Sequence, residues 1–517
     1  MKKVVLGAPL VALILSACDL APKYVSPALP VPPSAPQGPA YAGQAGAALA
    51  PADTAWQDFF TDARLRQLIA LALDNNRDLR VAIANVDQAR ALYRVQRADL
   101  FPTIGANGSA NYQKTPFGGV GAVNGGGGTG GVGGGTGGVG NGPGGVGGGV
   151  GGGGTVTTGG TRIDTYSASL GISAWELDLF GRVRNLTRSA QEQFFAADEN
   201  RNAAQVTLVA QLATTWVTMA ADQGRLRIAR DTERAFAQTL ELTRARFRVG
   251  IASELEVRQA QTTYDQARSD IAEATTLVAQ DQNALNLLAG TTVPAELLPA
   301  DLAEQPATLD NLPADLPSAA LLRRPDIAAA EHQLRAANAD IGAARAAFFP
   351  NISLTAAFGT LSLGLSNLFG SGSNFWSVNP QASVPLLDFG RNKGNLRYAE
   401  ATYRAQLAQY ERAVQAGFRE VADALARRGT IGQQLEADTS LRDSARVAYR
   451  LSEARFRSGI DPFLTTLDSQ RALYSAEQTL LMTRLIRESN AIELYRAFGG
   501  GMRSQDAAND RISPIPR

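Results

Sequence analysis

Ala245-Arg246-Phe247-Arg248-Val249-Gly250 closes a proline-free stretch that begins at Arg182, and it recurs 209 residues later as Ala454-Arg455-Phe456-Arg457-Ser458-Gly459. The second hexapeptide closes an equally long proline-free stretch from Arg391. Both stretches are rich in Ala, Leu, Gln, Glu and Arg, so each predicts one helix of about 68 residues, roughly 100 Å long. The glycine is the left-handed residue that stops it. A return helix starts at once. Ser253 and Glu256 make a capping box in the first copy; in the second, Asp461 caps and Pro462 takes the first helical position. The return helices run to about Ala289 and Phe498, so the chain holds two long helical hairpins with tight tips. Val414, Phe418, Val421 and Leu425 recur at three- and four-residue spacing, as a coiled-coil seam requires.

The duplication extends outward. Phe180-Gly181-Arg182 returns as Phe389-Gly390-Arg391 at the same offset of 209, whereas Asp78 answers to Asp326 and Phe101-Pro102 to Phe349-Pro350 at an offset of 248. The difference places a 39-residue insertion in the first copy between Pro102 and Phe180, an interval that holds a glycine-rich tract at 118–160. Of those 43 residues 27 are Gly, too few apolar side chains to bury a core. They read as a disordered loop between two strands. A further helix precedes the first strand of each copy, around 78–99 and 326–347.

Four segments alternate with a period of two. Ile104, Ala106, Gly108, Ala110 and Tyr112 face away from Thr103, Asn107, Ser109, Asn111 and Gln113. Tyr166, Ala168, Leu170, Ile172 and Ala174 oppose Thr165, Ser167, Ser169 and Ser173. Ile352, Leu354, Ala356 and Phe358 alternate with Ser353 and Thr355; Trp376, Val378, Ala382 and Val384 alternate with Ser377, Asn379, Gln381 and Ser383. Segments of about 10 residues with this alternation and aromatic ends are the mark of transmembrane barrel strands, and also suit a soluble sheet with one wet face. Four strands cannot close a barrel. Two chains would supply eight and three would supply twelve. Helices flank each strand pair on the same side, which sets the strands at one end of the predicted molecule and the tips at the other.

The chain opens Met1-Lys2-Lys3, then an apolar run from Val4 to Leu15, then Ser16-Ala17-Cys18, with Cys18 its only cysteine. This is a secretory signal of the lipoprotein kind, with Cys18 lipidated as the new N-terminus. Asp19 then raises the question of which membrane the lipoprotein reaches. The formal net charge is +1, which implies no nucleic-acid partner. The expected organisation is a signal peptide at 1–17, a Pro/Ala-rich linker at 18–52, a first repeat at 53–300, a second at 301–502 and a polar tail at 503–517.

Leu321-Leu322-Arg323-Arg324-Pro325-Asp326-Ile327, Ala330-Glu331 and Phe348-Phe349-Pro350 strongly resemble the outer-membrane efflux family, the TolC-like group. The lipidated start is similar to its NodT/OprM-type lipoprotein branch. The resemblance covers about Asp53 to Gly500. It implies a mainly α fold with a transmembrane β part. Long coiled-coil hairpins and four strands per chain would form a homotrimer, with a shared twelve-stranded barrel continuous with an α-helical barrel. It also implies a periplasmic adaptor and an inner-membrane pump of the RND type as partners. Arg246, Phe247, Arg248 and Gly250, with Arg455, Phe456, Arg457 and Gly459, are then the adaptor-contact tips. The plainer reading of these arginines is compensation of the helix C-terminal dipoles. Leu464 and Asp468, four apart on one helix face, would line the periplasmic gate as an apolar and an acidic ring.

No nucleophile or metal constellation points to an enzyme. The single histidine, His332, has no second His or free Cys to join it, so it reads as a packed or solvated helix residue. The glycine tract has no lysine and no strand-to-helix context for phosphate binding. No cofactor is expected beyond the lipid on Cys18. The function expected is a passive outer-membrane exit duct for small molecules. A type I polypeptide-secretion duct and a pore-less envelope-spanning scaffold are the alternatives.

Overall fold

The computed structural model describes residues 19–34, 36–41, 54–115, 161–302, 307–308 and 318–500. The signal segment, Cys18, the glycine tract and the tail lie outside the described residues. The chain divides into a helical unit and a sheet unit, the latter comprising Asp99–Asp178 and Pro350–Pro385.

The helical unit is built from α1 (Ala63–Asn75), α2 (Arg77–Ala98), α3 (Arg182–Arg248), α4 (Glu254–Ala289), α5 (Pro325–Ala346), α6 (Arg391–Arg457) and α7 (Phe463–Ala497). The repeat holds to the residue: α2 and α5 start and stop 248 apart, α3 and α6 209 apart. Gly181 at φ +78° and Gly390 at φ +90° start α3 and α6. Only glycine adopts that region without strain, which explains the repeated Phe-Gly-Arg. The α3–α4 and α6–α7 hairpins pack along α3 and α7. Val414, Val421 and Leu425 are buried in the resulting core and Phe418 packs partly buried against it, as their spacing predicted; Tyr410 is buried there too. Phe59 from the segment before α1 stacks on Tyr495 at 4.2 Å, and Trp216 Nε1 donates to the Leu297 carbonyl at 3.0 Å.

The Arg-Arg-Pro-Asp-Ile stretch has a packing role. The Arg324 side chain, 5 % exposed, grips both carboxylate oxygens of Asp326 at 3.0 and 2.8 Å, Glu420 at 2.8 Å and the Ala497 carbonyl at 2.9 Å. One guanidinium thereby fastens the start of α5 to α6 and to the end of α7. Pro325 occupies the first turn of α5, where its missing N–H costs nothing.

Residues 19–24 lie along α3 and α5. Asp19 accepts from Arg188 at 2.8 Å, Asn185 at 3.1 Å and the Ala21 N–H at 3.0 Å. Burial opposes the charge on Asp19, but these donors outweigh it and hold the carboxyl below its ordinary range. Asn338 donates to the Pro22 carbonyl at 2.8 Å, and a side chain at Gly342 would strike Ala21.

The sheet unit is a single antiparallel meander of β1 (Ile104–Thr115), β2 (Thr161–Glu176), β3 (Asn351–Ser362) and β4 (Asn374–Ser383). Its register puts the apolar sets of all four strands on one face, in rows such as Ala106–Leu170–Phe358–Trp376 and Ile104–Ile172–Ala356–Val378. The opposite face carries Asn107, Ser109, Asn111, Ser167, Ser169, Thr355, Asn379 and Gln381. One expectation needs correction. Between Ile172 and Trp175 a bulge with Ala174 at φ +47° inserts an extra residue, so Trp175 takes the place on the apolar face predicted for Ala174. Pro380 sits in β4 without breaking its pairing to β3. Leu361 N–H donates to the Ser373 carbonyl, so hydrogen-bonded pairs fall on odd residues of β3 and the Pro380 nitrogen faces the open edge.

Candidate functional site at the hairpin tips

The two tips share a backbone design. Gly250 and Gly459 have φ of +77° and +73°, and the N–H groups of Ile251 and Ile460 reach back to the carbonyls of Arg246 and Arg455, both at 2.9 Å. This is the Schellman closure, which satisfies carbonyls that a helix end leaves unpaired. Space around both glycines is open, so φ alone demands glycine here.

The side chains of the repeated hexapeptides do different things. Phe456 is 5 % exposed, in a small core with Leu240, Ala260, Phe463 and Leu467 that joins the two hairpins. Phe247, its counterpart, is 45 % exposed. The Arg246 guanidinium lies 4.4 Å from the Phe456 ring centre, whereas Arg455 makes a two-pronged ion pair with Asp461 at 2.6 and 2.8 Å. Arg457 pairs with Glu453 at 2.7 Å, and Arg248 is exposed. The expected equivalence of the tips is therefore corrected: Phe456 is a core residue, whereas Phe247, Val249, Ile251 and Leu255 are all exposed on the first tip, against Ile460 and Leu464 on the second. The Asp461 cap is corrected too. Its carboxylate is engaged by Arg455, which lowers its pKa, and Pro462 precedes rather than opens α7. The first-copy capping box forms as expected, with Ser253 N–H donating to Glu256 at 2.6 Å.

Leu464, Thr465 and Asp468 share the exposed face of α7, while Phe463, Thr466, Leu467 and Gln470 are buried behind them. Leu464 is 51 % exposed. Arg471, one turn past Asp468, is exposed on the same side of the helix and sets a cation beside the expected acidic ring. Further along, the Tyr474 hydroxyl donates to Asp270 of α4 at 2.7 Å and ties the two hairpins together. Burial first, then this carboxylate, raises the phenol well above its ordinary range.

His332 Nδ1 lies 2.7 Å from Glu192, beside the Phe195 ring, a packed helix residue on α5. Among the described residues no cluster of three or more His, Cys, Asp or Glu comes together to hold a metal, and no helix is long and apolar enough to cross a membrane. The features that stand out are the tips, the exposed face of α7 and the two-faced sheet.

Residues 68–291 and 316–500 match the family described as outer membrane efflux protein. The chain is 42 % identical over 516 residues to the toluene efflux pump outer membrane protein TtgC of Pseudomonas putida, covering 99 % of both chains. The antibiotic efflux pump outer membrane protein ArpC of Pseudomonas putida is similar to the same degree, 42 % over 99 % of both. The open-state crystal structure of the Neisseria gonorrhoeae MtrE outer membrane channel superposes with a TM-score of 0.78 at 33 % identity, covering 94 % of this chain and 99 % of that one. The chain belongs to the outer membrane efflux protein family and is an outer-membrane efflux channel.

Proposed function

We propose that three copies of the chain close one twelve-stranded barrel in the outer membrane, and that this barrel conducts small amphipathic molecules passively. The sheet is the observation that carries this reading. Four strands leave two open edges, at β1 and β4, and present one apolar and one polar face. A lone sheet with unpaired edges and one polar face does not survive in a bilayer; closure with further copies pairs the edges and turns the polar face to a water-filled lumen, leaving the apolar face to the lipid. The polar face is lined by hydroxyl and amide groups over most of its length, with Ile163, Leu361 and Phe375 near the connection end and its charge confined to Glu176 at the other. Such a lumen passes neutral and charged solutes alike, which suits the toluene and antibiotic efflux for which the relatives are named.

The tips are the surface for a periplasmic adaptor, which in turn meets an inner-membrane pump of the RND type. The first tip supplies the apolar contact through Phe247, and the second supplies a rigid partner surface. Leu464 and Asp468 form the periplasmic gate. Three Asp468 carboxylates brought together repel one another, and Arg471 on the next turn moderates that repulsion. Cys18 carries the lipid anchor. Charge reversal at Arg246, with the assembly intact, is expected to abolish export of a toxic dye from cells that depend on this channel; wild-type export would remove the tip from the docking surface.

A further inference from the structure

The four strands carry charge at only four positions: Lys114, Arg162, Asp164 and Glu176. Three of these share the apolar face, at the end that bears the strand connections. The register sets Lys114 directly opposite Arg162. Like charges facing each other across a strand pair are unfavourable unless an anion lies between them. Asp164 answers only one of the two, with its carboxylate 2.8 Å from Arg162. No described carboxylate stands within ion-pair distance of Lys114.

The surroundings say what kind of anion suits the pair. Tyr112 lies one row below the cations and Tyr166 two, edge to face with ring centres 5.8 Å apart, and the Arg162 guanidinium sits 5.7 Å from the Tyr112 ring. Below these run the apolar rows. From Ile104 to Lys114 the strand climbs about 34 Å, or about 26 Å along the axis of a barrel with strands tilted by roughly 40°. That matches the roughly 25 Å height of an apolar barrel band, so the tyrosines fall at the interface and the cations just beyond it. The β3–β4 connection leaves the sheet next to Tyr166 and exposes Leu363, Leu365 and Phe369.

We propose that Lys114 and Arg162 form a binding site for the phosphate-bearing headgroup of an outer-leaflet lipid. The inference rests on the barrel reading above, in which the connection end points outward, since the chain enters β1 from α2 and leaves β2 for α3 at the other end. The phosphate bridges the ammonium and the guanidinium, and the acyl chains lie on the tyrosines and the apolar rows. The apolar flank is what commits the site to a lipid phosphate rather than a free one.

The test uses the full-length assembly in phosphatidylcholine vesicles, with a minor fraction of bis-phosphorylated or of dephosphorylated lipid A. Lipid retained after detergent extraction is counted by native mass spectrometry. The wild type is expected to retain the phosphorylated lipid, and the Lys114→Gln/Arg162→Gln double variant to retain about tenfold less. The charge-preserving Lys114→Arg/Arg162→Lys variant is expected to behave as the wild type. Equal retention by the double variant, equal retention of the dephosphorylated lipid, or full displacement by inorganic phosphate would overturn the site. Conductance of the same preparations keeps the two readings apart: a conducting assembly with unselective lipid retention sinks this site alone, whereas a wild type that never conducts sinks the barrel.

Discussion

The guanidinium of Arg246, at the end of the first hairpin, lies 4.4 Å from the ring centre of Phe456, at the end of the second. Two copies of one hexapeptide thus meet as donor and receptor of a single contact. The first copy's arginine covers the second copy's phenylalanine, and the first copy's phenylalanine is left free. Phe456→Ala is expected to destabilise the folded assembly by about 3 kcal/mol, because it empties a packed site. Phe247→Ala should alter stability by less than about 0.5 kcal/mol and instead weaken adaptor binding. Thermal melts and adaptor pull-down on the two variants separate these effects; a large melting loss in Phe247→Ala would show that the first tip is also structural.

Arg324 joins α5, α6 and α7. Removing it takes the donor from the Ala497 carbonyl and leaves the half-buried Glu420 to Arg496 alone, at 3.2 Å, so Arg324→Ala should cost about 3 kcal/mol. Arg324→Lys is expected to recover only part of this, since an ammonium cannot reproduce the planar fork that holds both oxygens of Asp326. Chemical denaturation of the purified proteins checks both.

A carboxyl pair gives the hairpin a pH dependence. Burial, then the neighbouring Asp222, pushes Asp281 of α4 up to about 6, and burial raises Asp222 as well, with Arg225 and Glu273 beside it. The folded state therefore holds a proton that the unfolded chain releases near pH 4. The protonated pair is favourable at low pH, and its contribution is lost as pH rises through about 6. Asp281→Asn is expected to raise the melting temperature near pH 7.5 and to leave it unchanged at about pH 4. An equal gain at both values would mean that the pair does not share a proton.

Tyr474→Phe removes the 2.7 Å hydrogen bond to Asp270 and with it a tie between hairpins. Single-channel recording is expected to show more frequent or larger openings, while Asp468→Ala should raise conductance by removing the acidic ring. Unchanged currents in both would take the gate away from this part of α7.

Much of the architecture was legible because it is written in period and punctuation. Proline-free helical runs, their glycine stops and the two-residue alternation of the strands are local signals, and the observed boundaries fall within a few residues of them. What escaped depends on partners far along the chain. Arg324 finds Glu420 and Ala497 only in the folded unit. Asp461 reads as a cap until Arg455 claims it. The hexapeptides look alike because the sequence does not say which one faces the inter-hairpin core. The bulge at Ala174 is invisible to a pattern that assumes strict alternation, yet one extra residue hands the apolar face to Trp175.

Ser169 and Leu170 are neighbours on β2, on the polar and the apolar face of the sheet. They allow the channel to be tested at one residue's resolution once the sole native cysteine, Cys18, is accounted for. Single cysteines at these positions are placed in planar bilayers and treated with a charged, water-soluble thiol reagent. The account predicts that the assembly conducts, that the reagent reduces the current at Ser169→Cys, and that Leu170→Cys is untouched. An intact assembly that carries no current, or a block at Leu170→Cys with none at Ser169→Cys, would contradict it.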